Sequence, residues 1–408
     1  MKDSLKLIFS FFIVVCMSDA HTATVNVSTV AQLNNAIANA NSGDVIKLSA
    51  GNYGDITIAN KSFTSYVTLK SSNAKNPAKL GNVAINNSAF VRIENFEIIG
   101  GGTEAVLIEE SEDVEVLSSD ISGPEVSRTN PDPDNSVNMG VRAIGVVRVR
   151  IENNTIHDAI NATAVFGGND VVVKENTCDF VIADCYKFSG VDGLLFENNF
   201  GALTVLRLED THVDFMQAQG EVSNGIFRGN VAIMGNASFQ GLYFGGNNRD
   251  VSHKNNLIEN NIIYNQHGNA IFFSNLSSGN TVRYNTVLNA PRDPVKNVAV
   301  HGDVVEYNVI VSKEQQSGID GTNHKIHYED ESDSFHYDKY YKDLVKAPSL
   351  VTIEDFRPVS GSPAVSQVGA FRRIYELLGS SSGGSNGSGG SSNANSTSIA
   401  PVISLLLD

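Results

Sequence analysis

Apolar and charged positions alternate in a phrase that recurs along the chain. "RIENFEI", "RIENNTI", "VKENTC", "LFENNF", "IFRGNVA", "LIENNII", "VRYNTV" and "VEYNVI" are variants of it. With "VLSSDI" they align on one column: Phe96, Ser119, Asn154, Asn176, Asn198, Asn230, Asn261, Asn285 and Asn308. The spacings are 23, 35, 22, 22, 32, 31, 24 and 23, a unit of 22 to 24 residues with three longer members. Three positions before the marker stand Ile93, Val116, Ile151, Val173, Leu195, Phe227, Ile258, Val282 and Val305. Two after it stand Ile98, Ile121, Ile156, Cys178, Phe200, Ala232, Ile263, Val287 and Ile310, again all apolar. The column between, Glu94 to Glu306, is mostly charged. Adjacent apolar and charged columns are strand alternation, one face in and one out.

A short repeat of brief strands, with Asn and Gly at the turns and no heptads, predicts a β-solenoid. Each coil would stack on the next at about 4.8 Å. The Asn column then predicts a hydrogen-bonded ladder inside a turn. The charged column sets Glu259, Arg283 and Glu306 side by side outside, as ion pairs of small worth. "STVAQLNNAIANANSGD" predicts an amphipathic helix over the open N-terminal end. Ser28 is its N-cap, Val30, Leu33 and Ile37 its apolar face, and Gly43 its stop. "GDVIKLSAGNY" follows as the first strand and turn.

"VNVSTVAQLNNAIANANSGDVIKLSAGNYG" resembles the opening of right-handed parallel β-helix proteins of the pectate-lyase-like superfamily. "EDFRPVSGSPAVSQVGA" is similar to their last coil. The resemblance spans roughly Val25 to Ala370. It implies an all-β fold, a single right-handed parallel β-helix with an N-terminal capping helix, covering residues 21–378. It also implies action on carbohydrate, since the superfamily includes pectate and alginate lyases, mannuronan C5-epimerases and glycoside hydrolases. No epimerase-like "DPHE" signature and no polygalacturonase-like Asp pair occurs, so the resemblance carries over a location and not residue roles.

That location is the strand after each Asn turn: "TAVFGG", "CYKFSG", "HVDFMQ", "GLYFGG" and "AIFFSN". If Phe215 points inward like Tyr186 and Leu242, then His212, Asp214 and Met216 point outward. The outward row would read Arg142, Val165, Lys187, Asp214, Tyr243, Phe272. Lys187 or His212 is then a candidate general base, Tyr243 or His212 a proton donor, Asp214 an orienting carboxylate, and Arg142 a partner for a substrate carboxylate. Gln217, His267 and Phe272 are candidate substrate contacts, although the parity of Gln217, opposite to that of Asp214, also suits a bond within its own coil. Asp184, Asp210 and Asp214 are candidate Ca²⁺ ligands, and Asp184 and Asp210 are equally turn formers. "HKIHYEDESDSFHYDKYY", from His324, reads as a solvated insertion.

A lyase on a uronate-containing polysaccharide of alginate or pectate type fits this row best. A C5-epimerase, a glycoside hydrolase using Asp214 with Asp184 or Asp210, and a non-catalytic carbohydrate-binding solenoid remain open. The formal net charge of −16 argues against nucleic acid as a partner. The chain is expected to act as a monomer.

Residues 1–20 read as a secretory signal: Lys2 and Lys6 precede the apolar run Leu7 to Val15, and Ser18-Asp19-Ala20 is a small-x-small site. Cys16 follows Val15, which makes a lipoprotein signal the weaker reading. A secreted or periplasmic location follows, where Cys178 and Cys185 are able to pair, although Cys178 also suits the core. Residues 379–408 read as a Gly/Ser-rich linker with a short apolar tail. Neither apolar run is long enough to span a bilayer.

Overall fold

The structure is a computed structural model. It describes residues 22–125, 137–202, 213–234, 240–246, 251–265, 268–290, 295–296, 302–312, 319, 321–327, 357–358 and 360–378. The predicted signal, the linker and tail, Asp210, His212, His267 and most of the acidic insertion lie outside the described residues.

The described strands join one hydrogen-bonded sheet of 33 strands wound as a parallel β-helix. Each coil contributes three strands, so the solenoid has three faces. The first face carries the strand before the Asn turn, as in Arg150–Glu152, Val172–Lys174 and Leu195–Glu197. The second carries the strand after it, as in Thr177–Val181 and Phe200–Ala202. The third carries the later strand, as in Tyr186–Asp192, Asp214–Ala218 and Gln240–Phe244. Inside, Tyr186, Phe188, Phe196, Phe215, Phe227, Phe244 and Phe273 are fully buried. Phe244 and Phe273 stack with centroids 4.3 Å apart. Burying such rings contributes about 1.5–3 kcal/mol each.

The Asn ladder is real, with one member corrected. Asn176 donates from its backbone N and its Nδ2 to Oδ1 of Asn199, both at 3.1 Å. Asn199 does the same to Asn230, and Asn230 to Asn261. The rung is therefore Asn199, not Asn198, and the adjacent spacings are 23 and 31. "ENN" offers two asparagines. Asn198 takes the left-handed position (φ 56), which Asn tolerates, and Asn199 turns inward. The same shift puts Phe196 in place of Leu195 in the apolar column and Glu197 in the charged one. That outer column then reads Glu152, Lys174, Glu197, Arg228, Glu259, Arg283, Glu306, with Arg228 paired to Glu197 and Arg283 to Glu259 at 2.9 Å.

At the N-terminal end, the helix Val30–Ala38 buries Leu33, Ala36 and Ile37. Its N-cap is Thr29, whose hydroxyl accepts from the Gln32 N–H at 3.2 Å, and not Ser28. Ser28 stands one place earlier, where its N–H donates to Gln32 Oε1 at 2.8 Å. Val30 begins the helix facing solvent, 44% exposed. Gly43 ends the segment at φ 88. Cys178 and Cys185 form a disulfide with Cα atoms 5.7 Å apart, joining the second and third faces of one coil.

The outer side of the second face changes character along the solenoid. It is polar at Asp120, Thr155 and His157, and from Phe200 onward it is apolar. Val231, Ile262, Tyr264, Leu288, Val309 and Val311 continue the stripe. Ala364, Val368, Ala370 and Ile374 of the C-terminal segment cover it. The Ala370 N–H donates to Thr286 Oγ1 at 2.9 Å, and the Gly369 N–H to the Tyr307 carbonyl at 2.8 Å. The described part of this segment thus packs across earlier coils. His324–His327, expected in a solvated insertion, instead form a strand paired with Val309–Ser312.

Candidate functional site

The strand register of the third face fixes which side chains share its outer row. Arg142 pairs with Ala164, Ala164 with Lys187, Lys187 with Gln217, Gln217 with Tyr243, Tyr243 with Phe272, and Phe272 with Lys296. Arg142, Lys187, Tyr243 and Phe272 fall where expected. Val165 and Asp214 do not: Ala164 and Gln217 hold those places. The parity breaks at Phe215. Phe215 and Met216 are consecutive and both fully buried in the core, because strict alternation does not begin until Met216. Met216, not Phe215, lies beside Tyr186 and Leu242. Lys296 is a further exposed cation of the row, and alternation carried on from Phe272 through one more coil would have found it.

Asp214 belongs to a different stack. Its N–H donates to Asp184 Oδ1 at 3.0 Å, and the Asp184 N–H donates to Asn161 Oδ1 at 3.3 Å. Asp184 and Asp214 are 2% and 0% exposed, so this ladder is internal scaffolding at the start of the third-face strands. Asp184 also accepts at Oδ2 from Lys187 Nζ at 3.3 Å. With both oxygens of Asp184 already engaged, Asp184 and Asp214 do not fit the demand of a Ca²⁺ ion for six to eight oxygens. No group of three acidic, His or Cys side chains suited to a metal occurs among the described residues.

Arg142 and Lys187 carry carboxylate partners. Arg142 Nη1 donates to Glu104 Oε1 at 2.6 Å, with the guanidinium 5.6 Å from the Phe166 ring centroid. Lys187 pairs with Asp184 and keeps 21% of its side chain exposed. Tyr243 is half-buried and stacks on Phe272, centroids 4.8 Å apart. Phe272 itself is 4% exposed, so it supports Tyr243 and offers no face of its own to a ligand. Gln217 stands between Lys187 and Tyr243, and its Oε1 has no hydrogen-bond partner among the described residues. The row can bind an extended polar ligand running along the solenoid axis, with a cation, an amide and a phenol on successive rungs.

A second polar cluster lies on the second face, where the sequence reading placed nothing. His157 donates from Nδ1 to Asp158 Oδ2 at 2.5 Å and from Nε2 to Asp120 Oδ1 at 2.9 Å. Burial by itself lowers its pKa, but the hydrogen bonds and charges of Asp120 and Asp158 outweigh it and raise the value to about 9. A shallow depression lined by Asn95, Ser118, Asn153 and Thr155 adjoins it. The His-Asp pair in "TIHDA", directly after an Asn turn, was the available signal.

No family model matches the chain, and no curated protein does. Solved structures do. The chain is similar to pectate lyase Pel9A at 13% identity, covering 85% of this chain and 92% of that one, with a TM-score of 0.52. It is similar to the Dettilon tailspike protein at 12% identity, covering 74% of this chain and 62% of that one, with a TM-score of 0.51. An alginate lyase from Paenibacillus sp. aligns at 15% identity over 69% of this chain and 97% of its own, with a TM-score of 0.48. The chain therefore has the right-handed parallel β-helix fold found in polysaccharide lyases and tailspikes, and at these identities the likeness is one of fold alone.

Proposed function

We propose that the protein acts on an acidic, uronate-containing polysaccharide lying along the third face, and cleaves it by β-elimination. The observation that carries this reading is the row Lys187, Gln217, Tyr243 on three successive rungs, about 4.8 Å apart. Lys187 takes the C5 proton of the uronate as general base. The C5–H electron pair forms the C4–C5 double bond and the C4–O bond breaks. The leaving oxygen takes a proton from the Tyr243 phenol or from water. Arg142 and Lys296, at the two ends of the row, attract the polyanion. The likeness to pectate lyase Pel9A agrees with this reading and extends to the fold only.

The test is ultraviolet absorbance of unsaturated ends on a panel of alginate and pectate polymers. Lys187→Ala is expected to lower turnover by at least a hundred-fold, with the circular dichroism spectrum and Tm kept. Undiminished turnover in Lys187→Ala removes Lys187 from the chemistry. A second reading, a binding solenoid without turnover, is favoured by the ion pairs of Lys187 with Asp184 and Arg142 with Glu104, which leave neither cation unneutralised. Polymer retention without new absorbance supports that reading.

A further inference from the structure

We propose that the first face is a self-complementary docking surface, on which a second copy of this chain packs antiparallel to the first. The surface lies apart from the row of Lys187 and Tyr243, so the inference stands independently of the function proposed above.

One outer row of the first face changes character along the solenoid. It carries Arg92, Glu115 and Arg150 on successive rungs. From the next rung it reads Val172, Leu195, Ile226, Leu257, Thr281 and Val304. The first five are half-buried, and Val304 is 46% exposed. None of the six belongs to either apolar core cluster of the described residues. A continuous outer apolar row of this kind marks an interaction surface. On the second face of the same coils, the outer apolar row is covered by Ala364 to Ile374.

The charges beside the row select a second copy as the occupant. Lys174, Glu197, Arg228, Glu259, Arg283 and Glu306 form a rail of alternating sign on the same six rungs. Consider a two-fold axis parallel to the strands, midway between the Ile226 and Leu257 rungs. It sets Ile226 on the partner's Leu257 and Val172 on the partner's Val304. Along the rail, Arg228 then faces the partner's Glu259, Glu197 the partner's Arg283, and Lys174 the partner's Glu306. Opposite signs meet at every rung. A slip of one rung sets like charge against like along the whole rail, and a parallel arrangement sends the two rails to opposite edges. Arg228 and Arg283 already pair within the chain, with Glu197 and Glu259, so the rail sets register and direction more than affinity. Six rungs about 4.8 Å apart, with strands of three residues, offer about 300 Å² of each copy. A stable dimer buries roughly 800 Å² per partner, so the association is weak and reversible.

Sedimentation equilibrium of the full chain tests this on wild type, Ile226→Lys, Leu257→Glu and the double variant. Both positions point outward, and circular dichroism and Tm check the fold. Wild type is expected to show a monomer–dimer equilibrium with a micromolar Kd. Each single substitution is expected to weaken it by at least roughly ten-fold. In the double variant the new cation of each copy faces the new anion of the other, so association is expected to return and to become sensitive to salt. Ile226→Thr, which a strand tolerates, replaces Ile226→Lys if that variant does not fold. A wild type that stays monomeric at millimolar concentration overturns the proposal, as does unchanged association in both single variants. Two monomeric single variants with no recovery in the double variant refute the antiparallel register.

Discussion

His253 makes the stability of the solenoid depend on acid. The imidazole is fully buried within the coil stack, edge-on to Phe244 at 5.7 Å between centroids. Nδ1 accepts from the Val222 N–H at 3.3 Å, which leaves Nε2 as the protonated nitrogen, and Nε2 has no partner among the described residues. Burial without a counter-charge pushes its pKa down from 6.5 to about 4. The unfolded chain therefore binds a proton at higher pH than the native one does. The stability His253 permits is complete above pH 6.5 and is lost as pH falls toward 4. Integrated over that window, the loss is about 3 kcal/mol, of which about 2 kcal/mol falls between pH 7 and pH 5. Urea unfolding at pH 7, 6 and 5, for wild type and for His253→Phe, measures it. The variant is less stable at pH 7, because the Val222 N–H loses its acceptor. The stability difference between the two proteins is expected to shrink by about 2 kcal/mol on going from pH 7 to pH 5. A pH-independent difference refutes the argument that this imidazole must charge on unfolding.

Other expectations follow from the same structure. His157 runs opposite in sign: its pKa is raised to about 9, so its contribution is complete below pH 6.5 and disappears as pH rises through 9. His157→Asn should flatten the fall in Tm between pH 7 and pH 9. Asn199→Ala strands the Asn176 N–H and the Val173 carbonyl inside the coil and should cost about 2–5 kcal/mol in urea unfolding. Asn198→Ala should cost about 1–2 kcal/mol, through its left-handed backbone alone. Equal losses would mean the ladder contributes nothing beyond backbone strain. Reduction of Cys178–Cys185 should lower stability by about 2–4 kcal/mol, read as a drop in Tm with a thiol reductant.

The period of the repeat made the fold legible, because alternation over many coils averages out local irregularity. A single coil does not average. "LFENNF" has two asparagines in sequence, and only the apolar demand for Phe196 over Leu195 decides which one faces in. At the third face, one pair of consecutive inward residues, Phe215 and Met216, moved the carboxylate off the outer row and placed an amide in it. The shared outer row of Arg142, Lys187 and Tyr243 was legible from stacking. The ladder from Asn161 to Asp214 was not, since a buried Asp held by backbone N–H groups reads in sequence like any turn or ligand Asp. The outer apolar stripe from Phe200 to Val311 was not read from the sequence, and what covers it comes from residues far along the chain.

That cover changes how the solenoid is expected to come apart. Stacked repeats ordinarily feel only their neighbours, so an end coil can peel away at little cost to the rest. Here one short segment, Ala364 to Ile374, joins the apolar cluster that runs over five coils from Phe200 to Val311. It acts as a clasp across the stack: any one of those coils can loosen only after the segment has lifted from all of them. The coils from Phe200 to Val311 are thereby expected to unfold as one cooperative unit.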